Sequence, residues 1–106
     1  MPPEIEEGPH EVAQIVNSRA VLSCEVSGQP KPAVEWTKDG AAFPRTGLRH
    51  RMLPGGSLEF MLVRLEDDGD YRCTASNAAG NATRSIRLNV QSKGNVLLCF
   101  TITFID

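Results

Sequence analysis

The sequence predicts an all-β fold in which two antiparallel sheets pack face to face as a sandwich. Apolar and polar residues alternate with a period of two, and clusters of turn residues recur about every eight to twelve positions. The chain has 106 residues, which suffice for one two-layer core and are too few for two. No stretch has the periodicity of an amphipathic helix, so we expect one domain built from strands alone.

The first predicted strand is split into two parts. Residues 3–7 and 10–16 are both extended segments, and Gly8 and Pro9 between them cannot continue a central ladder. We therefore expect the chain to change sheets at this point. Residues 19–27 alternate most clearly, and their core-facing side is expected to carry Ala20, Leu22, Cys24 and Val26.

Six further short strands complete the sandwich. They are predicted at residues 34–37, 41–44, 48–53, 57–63, 70–77 and 82–90. Two inward-facing series are expected among them, Leu58, Phe60 and Leu62 in one strand and Ile86, Leu88 and Val90 in another. With the split first strand this makes seven to nine strands in about 90 residues, which is typical of an antiparallel Greek-key sandwich.

The end of the chain departs from this rhythm. Residues 1–91 are assigned to the sandwich domain, and residues 92–106 to a linker followed by a short apolar tail. The apolar run at residues 96–105 is shorter than the roughly 20 residues that a membrane helix needs. It could be an incidental tail, an additional strand or the start of sequence that continues in a longer protein.

Four residues have positions that are informative about the core. Cys24 and Cys73 each lie in the middle of an inward-facing strand, and Trp36 lies in the strand after Cys24. Tyr71 precedes Cys73 by two positions, as in the tyrosine corner of sandwich domains.

These residues belong to longer patterns that resemble the I-set of the immunoglobulin superfamily across nearly all of residues 3–90. The patterns are Gly28-x-Pro30-x-Pro32, Trp36-x-Lys38-Asp39-Gly40, and Tyr71-x-Cys73-x-Ala75-x-Asn77-x-x-Gly80. In detail the chain is most similar to the repeats of hemicentin-like extracellular matrix and adhesion proteins. Asn17 stands where the family often has glycine, and asparagine tolerates the left-handed backbone that such a turn requires.

The resemblance implies specific roles for the core residues. It implies a disulfide between Cys24 and Cys73, with Trp36 packed on it and Leu58 and Tyr71 buried nearby. A cytosolic homologue could keep both thiols reduced. Cys99 is the third cysteine, so one thiol is left over if the disulfide forms. In the corner, Asp67 is expected to bond the backbone through its side chain, and Gly69 to adopt a positive φ.

No pattern in the sequence indicates catalysis or a bound cofactor. His10 and His50 lie near no nucleophile, and the spacing of cysteine and histidine does not suit zinc. The acidic run of Glu66, Asp67, Asp68 and Asp70 lacks the spaced ligands of a calcium loop. We therefore expect a non-catalytic domain without cofactor or metal.

Two surface features indicate contact with other molecules. Asn81 begins an Asn-Ala-Thr sequon, so it is a candidate for N-glycosylation. A possible binding surface consists of Phe43, Arg45, Arg49 and Arg51, where the basic residues could contact a glycosaminoglycan. The net charge of -2 gives no reason to expect nucleic acid as a partner, and membrane insertion by this domain is not expected.

The sequence therefore predicts a protein-interaction or spacer module that contacts other proteins, including neighbouring immunoglobulin-like domains. The expected location is extracellular, in a secreted, matrix or cell-surface protein. An intracellular I-set module of a cytoskeletal or muscle scaffold, reduced and unglycosylated, is the alternative. The chain could also be an accessory domain of an enzyme, where it would still be non-catalytic.

Overall fold

Ten strands and one short 3-10 helix form the part of the chain, residues 1–92, that the computed structural model describes. The strands are β1 Glu4–Ile5, β2 Glu11–Ile15, β3 Ala20–Leu22, β4 Val26–Ser27, β5 Ala33–Lys38, β6 Ala41–Phe43, β7 His50–Met52, β8 Leu58–Phe60, β9 Gly69–Asn77 and β10 Gly80–Gln91. The helix is Leu65–Asp67. The predictions for the tail at residues 93–106, Cys99 among them, lie outside the described residues.

The strands form two layers. One layer is a five-stranded sheet in the order β2-β10-β9-β5-β6, and the other holds the three-stranded sheet β3-β8-β7 and the pair β1-β4. β1 pairs antiparallel with β4, whereas β2 pairs parallel with β10 in the opposite layer. The predicted sandwich and the change of sheet after the first extended segment are both confirmed.

The core between the layers is closed by a disulfide. Cys24 and Cys73 are bonded across the two layers and fully buried. Trp36 lies opposite Cys73 in the β5–β9 register, and both Trp36 and Leu58 are at most 2% exposed. Burial of these large side chains against each other is the main source of stability in a thin sandwich.

Gly56, in the turn between β7 and β8, allows this turn to lie close to the backbone of Cys24. Its φ is +115°, and a Cβ atom there would lie 2.6 Å from the carbonyl oxygen of Cys24. The Gly56 carbonyl accepts a 2.9 Å hydrogen bond from Trp36 Nε1, and the next residue, Ser57, accepts one of 2.9 Å from the Cys24 N–H. The bond from the Cys24 N–H to the Ser57 side chain lies between β3 and β4, where the predicted continuous strand at residues 19–27 is interrupted.

Gly56→Ala is expected to lower the free energy of unfolding by at least about 2 kcal/mol, because an L side chain is strained at this φ and would meet the backbone of Cys24. Gly40→Ala is the matched control. Gly40 also has a positive φ, of +88°, but nothing lies within 4 Å of its Cβ position. Urea unfolding of both variants separates backbone strain from the clash, and equal losses would show that the close approach is unimportant.

The prediction that Leu62 faces the core is wrong. β8 ends at Phe60, and Leu62 is 52% exposed, whereas Val63 is fully buried. The chain bends at this point, since Met61 N–H bonds to Arg49 O and Val63 N–H bonds to Ser18 O. The bend adds one residue to the alternation, so Val63 takes the core position instead of Leu62.

The two ends of the domain lie at opposite poles. The amino group of Met1 bonds to Gln29 O, and Asn77 Nδ2 bonds to Met1 O, which places the entry at the β9–β10 hairpin. β10 then runs the length of the sheet, and Val16 N–H bonds to Gln91 O at the other end. We call these ends the entry pole and the exit pole.

Candidate functional site

Tyr71 ties the helical turn Leu65–Asp67 to the core. Its hydroxyl donates a 2.6 Å hydrogen bond to the Asp67 carbonyl, and its ring meets Phe43 and Phe60 edge-on. The side chain is only 1% exposed, and this burial, helped by the nearby Asp67 carboxylate, raises the pKa of the phenol. The geometry is that of a tyrosine corner.

Tyr71→Phe is expected to cost about 1 to 2 kcal/mol, because the buried Asp67 carbonyl loses its donor while the ring packing is kept. The raised pKa favours the neutral phenol in the folded state. Stability from this group is therefore full below the unfolded-state pKa of about 10 and falls as the pH rises above it. Unfolding monitored between neutral and strongly alkaline pH should show a smaller alkaline loss for the variant, and parallel losses would contradict the assignment.

Asp67 is bonded on several sides. Its carboxylate accepts hydrogen bonds from both terminal nitrogens of Arg49, at 2.6 and 3.2 Å, and from the Arg64 N–H at 2.8 Å. Burial alone would raise the pKa of this carboxyl, but the Arg49 and Arg64 hydrogen bonds outweigh it and lower the pKa. The side chain thus bonds the backbone of its own turn and also joins that turn to the segment before β7.

Gly69 does not have the positive φ that was expected. Positive values occur at Gly28, Gly40, Gly56 and Gly80 instead. A Cβ atom on Gly69 would lie 2.9 Å from Asp39 Oδ2 and 3.0 Å from Lys38 Cε. Glycine thus leaves room for the ends of the Asp39 and Lys38 side chains at the β5–β6 turn, where Asp39 Oδ1 accepts a hydrogen bond from Asp70 N–H.

The predicted binding surface is largely occupied by contacts within the domain. Phe43 packs against His50 at a centroid distance of 4.4 Å and is only partly exposed. Arg49 pairs with Asp67, and Arg51 donates a 2.8 Å hydrogen bond to Glu59. Arg45 is exposed. The positive charge of this cluster is therefore mostly neutralised, which weakens the case for a glycosaminoglycan site.

Glu59 is a buried charge that the sequence did not single out. It lies in β8 and is 5% exposed, because Arg51 in β7 and Arg19, directly before β3, cover it from the two sides. Hydrogen bonds from Arg51 and then Arg19 lower the pKa of its carboxyl. Glu59, Arg19 and Arg51 are far apart in the sequence. They can be recognised as a group only when the pairing of β8 with β3 and β7 is known.

The other polar residues that could have formed a functional site make contacts within the domain. Asp68 accepts bonds from Arg87 and from the Val90 N–H, and His10 Nδ1 lies 3.5 Å from Ser85 O. Within residues 1–92 no group of three or more acidic, histidine or cysteine residues is arranged to hold a metal ion. The same residues include no helix long and apolar enough to cross a membrane.

Apolar side chains are exposed around the exit pole. Ile15 is 40% exposed, Met61 43%, Leu62 52% and Leu65 55%. They lie together because Asn17 N–H bonds to Val63 O beside the exit strand, and Leu65 lines a groove with Val16. These four are among the six large apolar side chains that are exposed within the described residues; the other two are Met1 and Leu48.

Asn81 lies at the opposite end, near the start of β10. It is exposed, as is Thr83, and Ala82 between them faces inward. In the register, Asn81 lies opposite Ser76 of β9, whose other neighbour is Ala33 of β5. The side chains around Asn81 on this outer face are therefore small.

The two-layer topology, the inter-sheet disulfide with its tryptophan and the tyrosine corner define an immunoglobulin-like β-sandwich. Residues 3–90 match the family model of the Immunoglobulin I-set domain. The chain belongs to the I-set family.

Similar proteins are long, and the chain matches a small part of each. It is 41% identical over 90 residues to human Hemicentin-1, covering 85% of this chain and 2% of the relative. It is 38% identical over 93 residues to mouse Roundabout homolog 1, covering 88% of this chain and 6% of the relative. The chain therefore corresponds to a single module of such proteins.

Solved structures with the same fold include domains of Sidekick-1 and a chain of a titin complex. Immunoglobulin domains 1–4 of Sidekick-1 match with a TM-score of 0.78 and 28% identity, over 85% of this chain and 24% of theirs. A chain of the titin M10 and obscurin-like 1 Ig complex matches with a TM-score of 0.77 and 31% identity, over 86% of this chain and 95% of its own.

Proposed function

We propose that this domain is a non-catalytic protein-interaction and spacer module of a multidomain extracellular adhesion or matrix protein. It would contact other proteins, among them neighbouring immunoglobulin-like domains in the same chain. Residues 1–91 would form the module.

The observation that carries the proposal is the Cys24–Cys73 disulfide. It is fully buried and joins the two layers. Disulfides of this kind form and persist in oxidising compartments and are rare in the cytosol. The hemicentin-like matrix and adhesion proteins that the sequence resembles point to the same location.

The arrangement of the ends supports a spacer role. The chain enters at the Met1 pole and leaves at the Gln91 pole, so modules joined in series would extend end to end. The exposed apolar side chains at the exit pole, Leu62 and Leu65 among them, suit contact with a neighbouring domain. Neighbouring domains of one chain commonly meet through modest surfaces of this kind.

The test is to express the chain in parallel through a secretory route and in a reducing cytosol. We expect soluble secreted protein whose intact mass, measured with and without reductant before alkylation, shows one internal disulfide. Peptide mapping under non-reducing conditions should assign the bond to Cys24 and Cys73. Failure to be secreted, together with stable, fully reduced cytosolic protein, would overturn the proposal.

The second candidate is an intracellular I-set module of a cytoskeletal or muscle scaffold. The observation that favours it is the 31% identity and nearly complete overlap with a chain of the titin M10 and obscurin-like 1 Ig complex. In that case the domain should remain folded with three free thiols. The same redox comparison therefore distinguishes the two candidates.

A further inference from the structure

The sequon at Asn81 lies on an open edge of the five-stranded sheet. β2 pairs with β10 only from Arg87 to Gln91, opposite Glu11 to Ile15. Within residues 1–92, no strand pairs with residues 81–85 on that side. The first half of β10 is thus an edge strand, and its second half is covered.

The backbone groups of this edge face outward at alternate residues. Arg87 N–H points away from β9, because it bonds to His10 O on the β2 side. Alternate residues of a strand direct their N–H and C=O groups to the same side, so those of Asn81 and Thr83 also point away from β9. Among residues 1–92, no strand pairs with the outward backbone donors and acceptors of Asn81 and Thr83 along the open edge.

This edge lacks the usual protections against pairing with another chain. Proteins shield such edges with charged side chains, proline or bulges. Within residues 81–85 the one charged residue is Arg84, but its side chain is 7% exposed and donates its hydrogen bonds inward to Ser23 O and Pro9 O. The groove beside it is lined by Thr83 and Arg84 and, on its far side, by Ile5, Glu7, Gly8 and His10. Gly8 has no side chain and Thr83 is small, which leaves room at this point for an extended strand of a second molecule.

We propose that Asn81 carries an N-linked glycan and that this glycan blocks the open edge of β10. The sequon is the only Asn-x-Ser/Thr in the chain, and Asn81 and Thr83 are both exposed. The small neighbours Ser76 and Ala33 leave room for the first sugar over the outer face. The proposal rests on the extracellular function above, because the modification occurs only in the secretory pathway.

The modification is a group transfer from a lipid-linked oligosaccharide donor. The amide nitrogen of Asn81 forms a bond to the anomeric carbon of the first sugar and gives up one proton. The bond from that carbon to the lipid pyrophosphate breaks, and the pyrophosphate leaves with its electron pair. No oxidant or reductant is needed.

The experiment compares secreted wild-type protein with a matched pair of variants at Thr83. Thr83→Ser keeps the hydroxyl that the sequon requires, and Thr83→Ala removes it. We expect peptide N-glycosidase to lower the mass of the wild type and of Thr83→Ser, converting the amide at position 81 to a carboxylate that peptide mapping locates. Thr83→Ala and Asn81→Gln should lose this mass shift completely.

The second readout is self-association. By light scattering, the glycosylated proteins should remain monomeric, and Asn81→Gln should shift towards a dimer as concentration rises. Adding Thr83→Pro to Asn81→Gln should restore the monomer, because it removes an outward N–H without breaking a β9 bond. A monomeric Asn81→Gln at every concentration would overturn the edge-blocking role.

The failure of this inference can be distinguished from failure of the proposed function. A secreted protein with the Cys24–Cys73 disulfide and an unmodified Asn81 would overturn the glycan and leave the extracellular module intact. A protein that is not secreted in folded form would overturn both.

Discussion

Replacing both Cys24 and Cys73 with alanine is expected to lower the free energy of unfolding by about 4 kcal/mol. The bond closes a loop with a sequence separation of 49 residues, so its loss restores much conformational freedom to the unfolded chain. It also removes two fully buried sulfur atoms next to Trp36. A loss of this size is a large share of the stability of a domain of this length.

Urea unfolding followed by the fluorescence of the single tryptophan measures this effect. Cys99→Ser is the matched control, because it removes a thiol that could exchange with the pair but leaves the pair itself in place. We expect its midpoint to equal that of the wild type under oxidising conditions. A loss below about 1 kcal/mol for the double alanine variant would mean that packing alone holds the two layers together.

Asp67→Asn is expected to destabilise the domain by about 2 to 3 kcal/mol. The substitution leaves the Arg49 guanidinium facing a neutral amide and weakens the bond to the Arg64 N–H. Breaking a fully buried pair costs more, but the Arg49 side chain is 30% exposed, so solvent screening reduces the effect. The pair joins the corner at Tyr71 to the segment before β7, so its loss should loosen both.

The pH dependence of this effect has a definite sign. The pKa of Asp67 is lower in the folded state than in the unfolded state, so its contribution is full above the unfolded value of about 3.9. It is lost as the pH falls through the folded-state pKa. The stability difference between wild type and Asp67→Asn should therefore narrow below about pH 4, and a difference independent of pH would contradict the assignment.

A double-mutant cycle with Arg49→Met isolates the pairwise interaction. The double variant should lose less stability than the two single variants do together. Arg51→Met is the matched control, because Arg51 is 58% exposed in its contact with Glu59 and should lose less than about 1 kcal/mol. Equal losses at Arg49 and Arg51 would show that the corner pair has no special role.

The sequence was sufficient for features that depend on local pattern. Alternation located Leu22, Cys24 and Trp36 on inward-facing strands, and Gly8-Pro9 marked the change of sheet between β1 and β2. The left-handed turn expected at Asn17 is confirmed, with φ of 71°. Each of these structural features is determined by residues that lie within a few positions of it in the sequence.

Features that depend on three-dimensional neighbours could not be predicted. Arg49 was placed on a binding surface because the residues around it are basic, yet its partner Asp67 lies in another segment of the chain. At position 69 the close neighbour of glycine is the Asp39 side chain, which lies 30 residues away in the sequence. Leu62 was misplaced because a period of two does not reveal the bend before Val63.

The opposite poles have a mechanical consequence. Tension on Met1 and Gln91 would pull β2 and β10 in opposite directions along their shared axis, and the five residue pairs of their parallel ladder would bear the load in shear. Hydrogen bonds that are loaded at the same time break at a higher force than hydrogen bonds that are pulled open one after another. We expect single-molecule stretching to show one high rupture force. Gln14→Pro removes an N–H that points to β10, since Val16 N–H two residues later bonds to Gln91 O, and should lower this force more than it lowers equilibrium stability.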